Sequence, residues 1–227
     1  MLILEKKEEF LQQKVNCKKK VKTALIDYGS GNLQSAYKAL ELAGNYRKKN
    51  KIFITSKSKD LLDADKIVLP GVGTFSDCMN GLKSLPGMID ILNEIVLQRK
   101  KPFLGICVGM QLLANVGYEN GNHTGLGWVS GEIKKISHKN LKLPHIGWNE
   151  VVIKKENDLI KEEKIHNYYF VHSYYFECKS NKDEVATTEY GLNFTSIISK
   201  DNIYGVQFHP EKSSLNGLRL LKNFIEL

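Results

Sequence analysis

The chain has 227 residues, 42% of them hydrophobic, and a net charge of +8, enough to bury one sizeable α/β core and with no stretch near the ~18 apolar residues of a membrane span. Residues 1–22 hold seven lysines and three glutamates, which is +4 of that charge. The remainder is mildly basic, contains only three arginines and shows no aromatic–basic stripe, so a lysine-rich solvated surface is expected rather than a nucleic-acid interface.

Residues 1–20 read as an appendage outside the fold: Glu5 to Gln13 can form a short amphipathic helix, and Lys18-Lys19-Lys20 a charged hinge. This segment has no signal-peptide core, and three glutamates without arginine do not suit a mitochondrial transit peptide. A cytoplasmic chain is expected. The four cysteines, Cys17, Cys78, Cys107 and Cys178, form no CxxC pair, which suits a reducing compartment and argues against a disulfide framework or a metal site. No cofactor is expected.

The body, residues 21–227, starts with a strand from Val21 to Asp27. A glycine turn, Tyr28-Gly29-Ser30-Gly31-Asn32, leads to a helix from Leu33 to Ala43. Lys51 to Thr55 and Ala64 to Leu69 read as the next strands, the latter ending at Pro70-Gly71-Val72-Gly73. Helical periodicity covers Thr74 to Leu82 and Met88 to Arg99. Strands alternating with helices imply a mainly parallel sheet with helices on both faces. Neither glycine loop carries a dinucleotide or Walker A fingerprint.

Pro102 to Ile106 is an apolar run that meets the turn Gly105-Ile106-Cys107-Val108-Gly109, followed by an apolar-periodic segment from Met110 to Val116. This is the form of a nucleophile elbow with cysteine in place of serine: strand, sharp turn, helix. The glycines avoid a Cβ in a crowded turn, and the helix start favours an anionic sulfur. A buried cysteine in a glycine-rich loop is the plain alternative.

Further on, Gly125 to Ile136, Glu150 to Lys154, Tyr168 to Cys178 and Ala186 to Ser199 read as short strands of an antiparallel or mixed extension. Asn202 to Phe208 is a strand that delivers His209, and Leu215 to Ile225 is a closing helix. In His209-Pro210-Glu211 an extended chain puts residues i and i+2 on one side, so Glu211 can hold the imidazole while its other nitrogen faces a thiol. That is a nucleophile, a base and an orienting group. Gly71, Cys107 and His209 are expected to gather at the carboxyl ends of the parallel strands, where the N–H groups of the Gly71–Gly73 loop can face an oxyanion.

The elbow and His209-Pro210-Glu211 together resemble the class I (triad) glutamine amidotransferases, a flavodoxin-like α/β fold. Asp27 to Asn32, Pro70 to Gly73, Pro144-His145-Ile146-Gly147-Trp148-Asn149 and Tyr169 to Tyr174 narrow the resemblance to the HisH glutaminase subunits of imidazole glycerol phosphate synthase, which serve histidine biosynthesis. It runs from about residue 21 to the C-terminus. The resemblance implies that Cys107 forms a γ-glutamyl thioester with glutamine, that His209 takes the thiol proton and passes it to departing ammonia, and that Glu211 orients His209. It implies an oxyanion hole of the Val72 and Val108 N–H groups. It assigns Gly73, Gln111, Glu119, Ser173 and Tyr174 to the amino-acid end of the substrate. The implied partner is a separate (β/α)8 cyclase subunit, HisF, in a heterodimer, with Trp148 and Asn149 at the interface. A paralogous glutaminase serving a sugar-amidating synthetase, a stand-alone cysteine hydrolase and a non-catalytic binding subunit are the competing readings. Pro144 to Asn149 argues against the stand-alone hydrolase, and an intact Cys107, His209 and Glu211 against the binding subunit.

Overall fold

The structure is a computed structural model that describes residues 20–44, 50–137, 141–160 and 165–227. The expected helix from Glu5 to Gln13 lies outside the described residues. Five strands form the parallel part of one mixed sheet: β1 (Val21–Ile26), β2 (Asn50–Thr55), β3 (Lys66–Leu69), β4 (Phe103–Ile106) and β13 (Ile203–Val206), in the order β2-β1-β3-β4-β13. Leu25, Ile67, Val68, Phe103, Leu104 and Val206 are fully buried. Strands covered on both faces are mainly apolar, and for that reason Ala24 to Ile26, Ile67 to Leu69 and Phe103 to Ile106 stand out as runs.

The first helix, α1 (Leu33–Gly44), and the last, α5 (Ser214–Glu226), pack against each other. The chain steps one way from β1 to β2 and the other way from β3 to β4. With right-handed crossovers, α2 (Phe75–Ser84) and α3 (Met88–Leu92) therefore lie on the opposite face. Thr74 caps α2 by accepting the Asp77 N–H at 3.1 Å. The helix expected to run from Met88 to Arg99 changes at Asn93 into a wider π turn that ends at Gln98. A 3-10 turn over Ser58–Asp63 precedes β3 and shortens it to Lys66–Leu69.

Beyond β13 the sheet turns antiparallel through β12 (Asn193–Lys200), β10 (Tyr174–Cys178) and β7 (Gly131–Lys135). It ends in the two-residue strands β5 (Val116–Gly117) and β6 (His123–Thr124). A branch carries β11 (Glu184–Glu189), β8 (His145–Ile153) and β9 (Ile165–His172). The expected strand from Gly125 to Ile136 is confined to β7. The expected segment from Tyr168 to Cys178 is two strands that change partners at Ser173: β9 pairs with β8, and β10 with β7 and β12. Ala186 to Ser199 is likewise two strands, the hairpin β11–β12. No helix among the described residues is long and apolar enough to cross a membrane.

Candidate active site

β4 and β13 run side by side and parallel, with Gly105 beside Gly205 and Ile106 beside Val206. Cys107 is the next residue after β4, and His209 follows closely after β13. Two side chains far apart in sequence thus leave the same edge of the sheet. On the other flank β3 pairs with β4, Leu69 beside Gly105, so Pro70 to Gly73 emerges next to the elbow.

Cys107 has φ 54° and ψ −113°. A residue with a Cβ adopts such a backbone at a cost of about 1–3 kcal/mol, and only where its surroundings impose it. Here the Cys107 N–H donates to the Val206 carbonyl at 2.8 Å, and the Cys107 carbonyl accepts from Met110 and Gln111 at 3.0 and 3.2 Å. The flanking glycines are required by space. A Cβ on Gly109 would stand 2.0 Å from the Leu69 carbonyl oxygen, and one on Gly105 2.5 Å from the Gly109 oxygen.

The helix after the elbow, α4, covers only Val108–Gln111 and not Met110 to Val116. Leu113 and Ala114 hydrogen-bond in tighter turns to Met110 and Gln111, and the chain then enters β5. One turn has little macrodipole. What α4 supplies is first-turn N–H groups, Val108 included, with no acceptor in their own helix.

The loop after β3 is pinned on both sides of one peptide. The Pro70 carbonyl accepts from the Tyr28 hydroxyl at 2.6 Å, and the Val72 carbonyl from the Cys78 thiol at 3.6 Å. Burial raises the pKa of Tyr28 well above its usual range and pushes Cys78 up to about 11, so both remain donors. Gly71 lies directly on the elbow: its Cβ would be 2.4 Å from the Gly109 nitrogen.

His209 is extended (φ −99°, ψ 96°), but Pro210–Lys212 closes a 3-10 turn, so the tripeptide is not the extended segment expected. Proline suits the first helical position because its missing N–H needs no partner there. Glu211 still reaches back, with Oε1 2.9 Å from His209 Nδ1. The His209 backbone is fixed by its N–H to the Tyr169 carbonyl at 2.9 Å and by its carbonyl, which accepts from Ser213 at 2.6 Å. Burial acts to lower the pKa of this imidazole. The opposing attraction and hydrogen bonds from Cys107 and Glu211 outweigh it and raise the value to about 10.

A cavity of about 380 Å³ opens over Cys107 and His209. Val72, Gly73, Val108, Gln111, Glu119, Ser173 and Tyr174 all line it. Glu119 also accepts the Phe75 N–H at the start of α2 at 2.7 Å. Gln111 is committed to the protein, donating to the Tyr174 carbonyl and to Gln207 Oε1, each at 3.0 Å. Gln207 Nε2 in turn stands 3.8 Å from Cys107 Sγ. Trp148 and Asn149 do not line this cavity; they border a groove on β8 together with Ile146 and Val152.

Sequence reasoning missed Asn32, His172 and Lys212, which also line the cavity. Asn32 is the most consequential. Its Nδ2 donates to Glu211 Oε1 at 2.6 Å. An asparagine closing a glycine turn at a strand's carboxyl end was the available signal, and its partner across the sheet was not.

The profile of the class-I glutamine amidotransferases matches residues 24–227. The chain is 47% identical over 210 residues to imidazole glycerol phosphate synthase subunit HisH of Rhodospirillum rubrum, covering 90% of this chain and 98% of that one. It is 49% identical over 208 residues to the HisH 1 subunit of Campylobacter jejuni, covering 90% and 99%. In fold it resembles a glutamine amidotransferase of Thermotoga maritima, with TM-score 0.62 and 21% identity over 91% of this chain and 81% of that one.

Proposed function

The chain belongs to the class I glutamine amidotransferases, and we propose that it is the glutaminase subunit of an imidazole glycerol phosphate synthase, hydrolysing L-glutamine and delivering ammonia to a separate (β/α)8 cyclase subunit, HisF. The observation that carries this reading is the meeting of Cys107 and His209 from adjacent parallel strands over one cavity, with Glu211 on the far side of the imidazole.

In this reading His209 takes the proton of the Cys107 thiol, and Cys107 Sγ attacks the side-chain amide carbon of glutamine. The carbonyl oxygen becomes an oxyanion held by the Val108 N–H and, when the loop presents it, the Val72 N–H. As the C–N bond breaks, His209 gives its proton to the departing nitrogen, and ammonia leaves. Water then adds to the γ-glutamyl thioester, with His209 taking up a proton from it; the C–S bond breaks and glutamate is released. Glu211 holds the imidazole, and Asn32 holds Glu211. Gly73, Gln111, Glu119, Ser173 and Tyr174 form the seat for the substrate's amino and carboxylate groups. Residues 21–227 constitute the domain and 1–20 lie outside it. The chain works in the cytoplasm, where Cys107 stays reduced.

Ile146, Trp148 and Val152 project from one side of β8 and are 59%, 54% and 44% exposed. An exposed aromatic flanked by aliphatic side chains, with Glu150 between Trp148 and Val152, suits an interface, and in this reading Trp148 and its neighbour Asn149 belong to it. A paralogous glutaminase for a sugar-amidating synthetase would keep the same triad. The likeness to HisH subunits over nearly the whole body favours the cyclase. The test is to mix the purified chain with HisF and its ribulosyl phosphate ligand. Glutamine-dependent formation of imidazole glycerol phosphate is expected; glutamine hydrolysis that no cyclase stimulates would refute the assignment.

A further inference from the structure

A second hydrogen-bond path, separate from the triad, runs from the exposed strand β8 to the nucleophile. Asn149 Nδ2 lies 3.2 Å from His145 Nε2 and donates to the Glu189 carbonyl at 2.9 Å. His145 Nδ1 is 2.9 Å from His172 Nε2, and His172 Nδ1 is 2.8 Å from the Tyr174 carbonyl. That same carbonyl accepts from Gln111, which leads through Gln207 to Cys107 Sγ.

The proton positions along this path are fixed by chemistry. A carbonyl can only accept, so His172 Nδ1 carries a hydrogen. Burial lowers His145 to about 4 and His172 to about 3, so both rings are neutral at pH 7. A neutral imidazole has one donor and one acceptor. His172 Nε2 must then accept from His145 Nδ1–H, and His145 Nε2 from Asn149. Asn149 Oδ1 accepts the Glu150 N–H at 2.8 Å, so its amide cannot be reversed without losing bonds at both atoms. The His145 ring is stacked between Phe170 and Tyr190, with centroids at 4.9 and 4.0 Å. Every member has one position and one direction.

We propose that His145 and His172 are positioning residues of the glutaminase reaction, forming a one-way relay by which Asn149, next to Trp148 on β8 and turned to the His145 side, sets the Tyr174 carbonyl and, through Gln111 and Gln207, the placement of Cys107. The proposal rests on the glutaminase reading above. Buried networks of this kind rigidify what they touch, and a misplacement of about 1 Å at a reacting group costs up to about 10²-fold in rate.

The test uses the complete complex at saturating cyclase subunit. His145→Phe keeps the ring stack and removes both nitrogens. His145→Asn puts an amide N–H near the place of Nδ1 and can still donate to His172. His145→Phe is expected to lower kcat for glutamine hydrolysis roughly 10- to 100-fold, a loss larger than any accompanying rise in KM. His145→Asn should recover most of the loss. Asn149→Ala should lower kcat less than His145→Phe and add nothing to it, since both sit on one path. Co-elution of each His145 variant with the cyclase subunit on size-exclusion chromatography reports that the variants still assemble. A wild-type kcat in His145→Phe, a loss confined to KM, or His145→Asn no better than His145→Phe overturns the relay. If His145→Phe does not fold, an unchanged kcat in Asn149→Ala overturns it instead. A wild-type complex that hydrolyses no glutamine overturns the glutaminase reading itself.

Discussion

Removing the Asn32 side chain should weaken the triad from behind. Glu211 is buried and its Oε2 has no hydrogen-bond partner among the described residues. Its contacts converge on Oε1, which takes Asn32 Nδ2 at 2.6 Å and His209 Nδ1 at 2.9 Å. A hydrogen bond to a charged group contributes about 1.5–3 kcal/mol, and each 1.4 kcal/mol is about tenfold in rate. If that bond holds Glu211 where it can orient His209, its loss should lower kcat/KM by roughly 10- to 100-fold. Asn32 sits at φ 67°, so the choice of variant matters. Glycine accepts that backbone freely, whereas alanine adds a cost of about 1–2 kcal/mol. Asn32→Gly should therefore show the kinetic loss together with a melting temperature lowered by the lost bond, and Asn32→Ala the same kinetic loss with a further drop in stability. The assay is steady-state glutamate release by the variant in complex with the cyclase subunit, alongside thermal unfolding. An Asn32→Gly variant with wild-type kcat/KM would refute the argument that Glu211 depends on this bond.

Other expectations concern the elbow, acidity and control. Gly109→Ala must displace the Leu69 carbonyl from 2.0 Å, a backbone clash expected to cost more than about 3 kcal/mol; a melting temperature near wild type would contradict it. His209 is raised from 6.5 to about 10, so its contribution to stability is full below 6.5 and lost as pH rises through about 10. The melting-temperature gap between wild type and His209→Gln should accordingly narrow over that window. His145 and His172 are lowered to about 4 and about 3; their contribution is present above 6.5 and lost as pH falls through those values, so acid unfolding should be eased in wild type relative to His145→Phe. Between the pinned Pro70 and Val72 carbonyls, the Gly71–Val72 peptide is the part of the loop left to turn its N–H toward an oxyanion. Losing one such donor costs about 10²–10³ in turnover; the isolated chain should hydrolyse glutamine slowly and gain at least that factor in kcat with HisF and ligand. Equal turnover alone and in complex would count against loop control.

What could be read from the sequence follows the physics of each segment. The strands β3, β4 and β13 are buried along their whole length and β1 from Thr23 onward, so each carries a mainly apolar run bounded by turn residues; β2, at the end of the sheet, is partly exposed and reads as a strand from its Ile-Phe-Ile core. The elbow was legible because Gly105 and Gly109 are dictated by backbone contacts at the turn itself. Local pattern failed where a tertiary partner decides the outcome. The segment after the elbow has helical periodicity through Val116, yet Asn115 hydrogen-bonds to Gly131 and Val116 pairs with β7, which draws the chain into the sheet. The aromatic-rich stretch from Tyr168 to Phe176 reads as one strand, but it divides at Ser173 because β9 and β10 pair with different neighbours. β8 begins at His145, but Gly147 at φ 133° obscures its start. The bond from Asn32 to Glu211 and the pairing of His145 with His172 join loops and strands that no spacing rule connects.

The central claim is that Cys107 generates the ammonia that the partner consumes, and one substitution separates the two halves. Cys107→Ser, in complex with HisF and supplied with the ribulosyl phosphate substrate, should lose glutamine-dependent synthesis of imidazole glycerol phosphate while retaining synthesis driven by external ammonium. Glutamine-dependent synthesis near the wild-type rate in that variant would contradict the account.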